Sequence, residues 1–336
     1  MIRLAINGYG RIGRCVLRAL QQSPLQECLQ VVAINELADA GTVAHLTRYD
    51  STHGRFPGAI EGDDSRLTID GRPIELLRHD TIDALPWGEL GIDLVLECTG
   101  AFSDRATAEQ HLARGAGRVL FSQPAQADVD ATVVFGINEE QLSAEHRIAS
   151  AASCTTNGIV PIIQALSDSV GIETGTITTI HSAMNDQPVL DAYHHTDLRK
   201  TRAASHSIIP IDTGLARGVE RILPQMTGRF SAQALRVPTL NVSAMDLTVQ
   251  TLQDTDVAAI NRILHDAAQA RFRGVLGYTE EPLASCDFSQ DLRSSIVDAS
   301  QTRVSGKRLV KVLTWFDNEW AYANRMLDVA AHWTSL

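Results

Sequence analysis

One glycine pattern near the N-terminus constrains this chain more than any other feature. Gly8-Tyr-Gly10-Arg-Ile-Gly13 follows an apolar run at residues 2–6 and precedes apolar positions Ile12, Cys15, Val16, Ala19 and Leu20. The run reads as a buried strand and the later positions keep a helical period, so the segment predicts strand, tight turn and helix. In that setting the first glycine permits the turn, the second lets the backbone approach a pyrophosphate, and the third lets the helix sit close on the strand. The helix would offer N–H groups and its positive dipole end to phosphate oxygens. A second, β-branched run at 29–34 ends at Asn35-Glu36 and completes a βαβ unit. Glu36 can accept both ribose hydroxyls of an adenosine, and its charge repels a 2′-phosphate, which favours NAD over NADP. The alternative is a glycine turn that serves packing only, with Glu36 a solvated acid. Strand, turn, helix and acid standing in register weigh against it.

At 336 residues the chain exceeds what one hydrophobic core usually holds, which predicts two domains. Short apolar runs at 94–96 and 119–121, separated by helical or loop segments, continue a Rossmann-type, doubly wound parallel sheet over residues 1–153. After Cys154 the texture changes to long strand candidates at 175–181, 232–237, 242–251 and 309–316. Residues 154–318 therefore read as an α+β catalytic domain with a mainly antiparallel sheet. Residues 319–336 are helical by pattern and are expected to return to the first domain. Between His181 and Asp212 runs a polar stretch with His194, His195, Arg199, Lys200 and Arg202, too long for a plain connector and read as a functional loop.

The formal net charge of -11 disfavours nucleic acid and anionic membrane as partners, since the long-range field repels both. No apolar run approaches the roughly 20 residues that a membrane helix needs. The five cysteines, Cys15, Cys28, Cys98, Cys154 and Cys286, are scattered without a CxxC pair. That excludes a disulfide framework and a zinc site as first readings, and no HxxxH spacing suggests a metal. With no export-type segment at the start, a reducing cytoplasm is the expected location.

Cys154 stands between hydroxyl residues in "ASCTTN" just before an apolar run. A free cysteine is most often packing. Here Ser153 can cap a helix whose first turn begins at Cys154, and a thiol at a helix N-terminus has its thiolate stabilised. Pro161 calls for a kink or a restart in that helix. His181, at the end of the 175–180 strand, is the candidate base, and an ion pair with Cys154 is expected to lower the thiol pKa. Arg236, at a strand end before Val237-Pro238, fits either bidentate phosphate binding or an ordinary ion pair.

"INGYGRIGR", "ASCTTN", "TTIHSAMNDQ", "LRVPTLNVS" and "WFDNEWAYANRM" occur in order along nearly the whole chain. Together they resemble the glyceraldehyde-3-phosphate dehydrogenase family. The resemblance implies NAD use, thiohemiacetal chemistry at Cys154 with His181 as base, and a homotetramer. It implies cofactor contacts from Arg11 and Ile12 through backbone N–H groups, and from Arg78, Ser122, Asn318 and Tyr322. Ser153, Thr155, Lys200, Thr213, Gly214 and Arg236 would line the substrate and phosphate sites.

"INELADAGTVAHLTRYDSTHGRF", "HSAMNDQ" and "RAASHSIIPIDT" make the chain more similar to the erythrose-4-phosphate-oxidising branch than to the glycolytic one. Met184 replaces a threonine that holds substrate phosphate, and Met cannot donate a hydrogen bond. Asp212 replaces serine or threonine beside the inorganic phosphate site, and a carboxylate there repels the dianion. Thr213-Gly214 keeps the glycolytic pattern. Lys200 stands where the family carries arginine, retaining charge without the planar fork. The implied reaction is NAD-dependent oxidation of erythrose 4-phosphate to 4-phosphoerythronate with hydrolytic release, feeding pyridoxal phosphate synthesis. The alternatives are phosphorylating oxidation of glyceraldehyde 3-phosphate and a non-catalytic nucleotide- or RNA-binding module.

Overall fold

The computed structural model describes residues 1–194 and 196–336, so His195 lies outside the described residues. They divide into two compact units, Met1–Ser153 with Ala323–Leu336, and Cys154–Tyr322. The returning segment thus starts at Ala323 rather than at 319.

In the first unit, strand Ile2–Asn7 sits in the middle of a nine-stranded sheet. Leu29–Asn35 and Arg72–Leu77 follow on one side, and Leu94–Glu97, Arg118–Phe121, Ile148–Ser150 and Ala131–Thr132 on the other, all parallel. Arg66–Ile69 and Ile60–Gly62 extend the first edge antiparallel. Leu4, Ala5, Ile6, Val95 and Leu96 are wholly buried, which is why the central strands read as continuous apolar runs rather than alternating ones. The winding reverses between Ile2–Asn7 and Leu94–Glu97, and the glycine turn stands at the carboxyl end of this switch point. Three helices, α1 (Arg11–Gln22), α2 (Ala40–Arg48) and α3 (Arg105–Ala113), accompany the sheet. Asp39 and Asp104 cap α2 and α3 by accepting from Thr42 and Thr107 N–H. Helix α1 has Gly10 at its N-cap and therefore no side-chain cap.

In the second unit a seven-stranded sheet runs in the order Ile209–Ile211, Phe230–Arg236, Ile172–His181, Ser243–Thr251, Leu309–Phe316, Ser295–Ser305, Leu276–Thr279. Neighbours are antiparallel except for Phe230–Arg236 on Ile172–His181 and Leu276–Thr279 on Ser295–Ser305. The helices are α4 (Cys154–Val170), α5 (Leu215–Ile222) and α6 (Val257–Gln269). Helix α4 passes through Pro161 without the expected restart. Ile159, Val160, Ile162 and Ile163 are completely buried around it, and tertiary packing outweighs the hydrogen bond that proline removes.

The last helix, α7 (Trp320–Thr334), ends in the first unit. There the buried Trp333 donates to the Ser143 carbonyl at 3.2 Å, and the Arg118 guanidinium lies 5.3 Å from its ring centre. Among the described residues no helix is long and apolar enough to cross a membrane.

Candidate active site

Strand ends and one helix start build the reactive cavity of the second unit. Cys154 opens α4, and His181 and Arg236 close adjacent parallel strands as direct register partners. Together with Met184, Asp212 and Thr213 they line a cavity of about 250 Å³. Ala152, two residues before the thiol, holds φ at 57°, a left-handed conformation that costs a non-glycine residue on the order of 1 kcal/mol. No spacing in the sequence signals that strained turn.

His181 Nδ1 lies 2.8 Å from the Ser182 carbonyl, which only accepts, so the ring proton belongs on Nδ1. Nε2 then turns its lone pair toward Cys154 Sγ at 3.9 Å. Burial pushes the thiol up to about 11, against a smaller lowering by the Arg236 charge. Burial likewise drives His181 down to about 4, and Arg236 beside it adds to that. The expected thiolate–imidazolium pair is therefore corrected: near neutral pH a thiol faces a neutral imidazole, because the site desolvates both charges and places a cation next to the base.

Arg236 is buried, and its Nε and Nη1 have no hydrogen-bond partner. Thr179, two residues before His181 and also on the cavity wall, has a buried Oγ1 without a partner. Such groups are costly unless a ligand satisfies them, and their chemistry suits an anionic or hydroxyl-bearing one. Lys200 does not line this cavity; its ammonium is held by Asp186 at 2.7 Å. Ser153, also expected in the substrate site, is half-buried and is not on the wall, whereas Thr155 is. Asp212, Thr213 and Gly214 also border a larger cavity of about 620 Å³, which Arg199 and Arg217 line as well. Sequence reasoning missed Arg217, whose only signal is its place one helical turn after Gly214.

Asn318 follows the strand Leu309–Phe316. Its Oδ1 accepts from the hydroxyls of Ser182 and Ser243, each at 2.9 Å, which leaves the NH₂ end of the amide for a ligand. The neighbouring Asp317 is wholly buried and accepts from the Glu319 and Trp320 N–H groups at 3.0 and 2.8 Å, fixing the start of α7. Val242, just before Ser243, has φ at 62°, an outlier for a β-branched residue. Tyr322 is buried in the first turn of α7.

The glycine turn of the first unit borders a cavity of about 300 Å³ that Gly8, Gly10 and Glu36 line. A Cβ on Gly8 would stand 2.5 Å from the Thr99 nitrogen, and one on Gly13 would stand 2.4 Å from the Gly8 oxygen. At Gly10, by contrast, nothing lies within 4 Å of that position. The turn is thus closed where strand and helix must meet and open where a pyrophosphate would approach, which fits a dinucleotide. Glu36 is held by the N–H groups of Tyr9 and Ala38 at 3.0 and 3.3 Å, its carboxylate still on the cavity wall. The Arg11 guanidinium pairs with Asp50 at 2.5 Å, and neither Arg11 nor Ile12 is on the cavity wall.

Arg78 and Ser122 stand off this cavity. Arg78 is exposed and donates to the Asp64 carbonyl at 3.0 Å, while the Ser122 N–H bonds the Glu97 carbonyl. Asn7, Asn35 and Thr99 do line it and were missed. The signal was a repeated "AIN" ending two strands, which the fold sets side by side with Asn7 opposite Asn35.

Two protein-family models match this chain. Residues 2–105 match the one described as glyceraldehyde 3-phosphate dehydrogenase, NAD binding domain, and residues 153–318 the one described as glyceraldehyde 3-phosphate dehydrogenase, C-terminal domain.

Proposed function

We propose, for a chain that belongs to the glyceraldehyde 3-phosphate dehydrogenase family through both of these domains, the oxidation of D-erythrose 4-phosphate to 4-phosphoerythronate. At the family level it is an NAD-dependent oxidoreductase acting on a phosphorylated aldehyde. One observation carries the finer reading: Met184 and Asp212 stand on the wall of the same cavity as Cys154. Met184 supplies no donor for a substrate phosphate, and the exposed Asp212 carboxylate opposes an incoming phosphate dianion. Water is then the acyl acceptor.

The Cys154 Sγ attacks the aldehyde carbon while His181 Nε2 removes the thiol proton and returns it to the carbonyl oxygen, which gives a thiohemiacetal. The Cys154 backbone N–H and His181 stabilise the oxygen as charge develops. His181 then takes the hydroxyl proton as the C–H hydride leaves, and a thioester on Cys154 remains. The turn from Gly8 to Gly13 and Glu36 would hold NAD, Asn318 would bond its carboxamide, and the cofactor would supply the hydride acceptor. His181 releases that proton to solvent and then relays one from the adding water to the sulfur as the C–S bond of the thioester breaks. The acid leaves as the carboxylate, its proton passing to solvent, with the thiol restored. The unpartnered Arg236 nitrogens and Thr179 hydroxyl are the groups suited to the substrate's phosphate and hydroxyls. The assembly is a homotetramer, and the product serves pyridoxal phosphate synthesis.

A second reading, phosphorolysis of a glyceraldehyde 3-phosphate thioester, is favoured by Arg199 and Arg217 on the cavity beside Thr213 and Gly214. Phosphorus NMR of the turnover mixture in the presence of inorganic phosphate separates the two. Hydrolysis yields a single phosphomonoester product, whereas an acyl phosphate signal supports phosphorolysis.

A further inference from the structure

Three neighbouring parallel strands of the first unit end in register on Asn35, Asn7 and Glu97. Glu97 and Asn7 are buried, and the Glu97 carboxylate takes four donors. Its Oε2 accepts from Asn7 Nδ2 at 2.6 Å and faces His111 Nε2 at 3.2 Å. Its Oε1 accepts from the Thr99 N–H at 2.9 Å and from the Thr99 hydroxyl.

The direction of each link is fixed from outside. Asn35 bonds both backbone groups of His79, accepting from its N–H at 2.9 Å and donating to its carbonyl at 3.0 Å, so the amide cannot be reversed. Its Nδ2 also donates to Asn7 Oδ1 at 2.8 Å, which forces the Asn7 NH₂ toward Glu97. From the other side the Trp87 indole, a donor only, gives its N–H to His111 Nδ1 at 2.9 Å. The His111 ring proton therefore sits on Nε2 and points at Glu97. Two chains of oriented donors converge on one group that has to accept.

We infer that Glu97 is the positioning residue of the cofactor site, stapling Asn7-Gly8 to Thr99 across the gap that the dinucleotide backbone enters. The contacts around it are those of a gap with no slack. The Cys98 N–H donates to the Asn7 carbonyl at 2.7 Å, and the Gly8 N–H to the Asn35 carbonyl at 3.0 Å. Gly8 has no room for a Cβ against Thr99, and Asn7, Gly8, Asn35 and Thr99 all line the cavity. Glu97 does not line it and acts through these neighbours.

Glu97→Gln tests this, because whichever way the new amide turns, its NH₂ faces donors that cannot reverse: Asn7 and His111, or the Thr99 N–H. Calorimetric titration of the full chain with NAD is expected to show the Kd raised about tenfold, the scale of one buried unsatisfied donor. The rate of Cys154 alkylation and the KM for the sugar phosphate should stay near wild type, a split that general loss of structure would not produce. An unchanged Kd, or equal losses in all three, overturns the proposal. Should the variant fail to fold, nitrogen NMR of His111 in the wild-type protein decides: the Nε2–H tautomer is expected, and the Nδ1–H tautomer or a doubly protonated ring contradicts the convergence on Glu97.

Discussion

His181 Nε2 presents its lone pair to Cys154 Sγ at 3.9 Å, with the ring held from behind by the Ser182 carbonyl. The pair is arranged for proton transfer during attack rather than for a standing ion pair, since the thiol is pushed up to about 11 and the imidazole down to about 4. Alkylation of Cys154 by iodoacetamide should therefore climb steadily from about pH 6 to pH 10 in the ligand-free enzyme. A plateau reached near neutrality would show a preformed thiolate instead. His181→Asn should lower kcat by roughly 100-fold or more, the usual weight of a general base. Cys154→Ala should abolish oxidation and leave the Kd for NAD unchanged.

Arg236 acts on both partners of that pair, favouring the thiolate and disfavouring the imidazolium. Arg236→Ala should slow thiol alkylation and also raise the KM for the sugar phosphate. Loss of a charged hydrogen bond of about 1.5–3 kcal/mol corresponds to roughly 10- to 150-fold in kcat/KM. Arg236→Lys should keep the alkylation rate, which needs only charge, but not the KM, which needs the planar fork. Equal behaviour of the two variants in both assays would remove the distinction.

Buried His181 links folding to pH. Its folded value near 4 lies below the ordinary 6.5, so the unfolded chain binds the proton more readily. The stabilisation is full above about 6.5 and is lost as pH falls through 4, at most about 3 kcal/mol. Denaturant titration should show that slope between those pH values and a shallower one in His181→Asn. Identical slopes would mean that His181 is not desolvated to this degree.

In the proposed reading Met184 and Asp212 carry substrate choice. Met184→Thr with Asp212→Thr restores a donor and removes a repelling charge on one cavity wall. The double variant should gain dependence on inorganic phosphate and shift kcat/KM toward glyceraldehyde 3-phosphate by about tenfold or more. If neither changes, these two positions do not discriminate.

Much of the fold was legible because its signals are local. The glycine turn, the buried runs at 2–6 and 29–34 and the helix after Cys154 each follow from period and turn chemistry. The strand Ser295–Ser305 was not visible, since a register shift between Asp298 and Arg303 breaks the alternation that would reveal it. Helix α6 was passed over although Asp256 caps it. In the site, Cys154, His181 and Arg236 could be named from their places at element ends. The protonation states could not, because desolvation and the pairing of His181 with Arg236 arise only when distant strands meet. Thr179, Asp317 and Glu97 were missed for the same reason: each matters through buried partners far along the chain or through having none.

The most direct measurement is NADH formation with erythrose 4-phosphate and with glyceraldehyde 3-phosphate, each with and without inorganic phosphate. Turnover of the four-carbon sugar in the absence of phosphate is the expected result and gives Asp212 its role. Strictly phosphate-dependent oxidation of the three-carbon sugar alone would contradict it and would make this chain a phosphorylating member of its family.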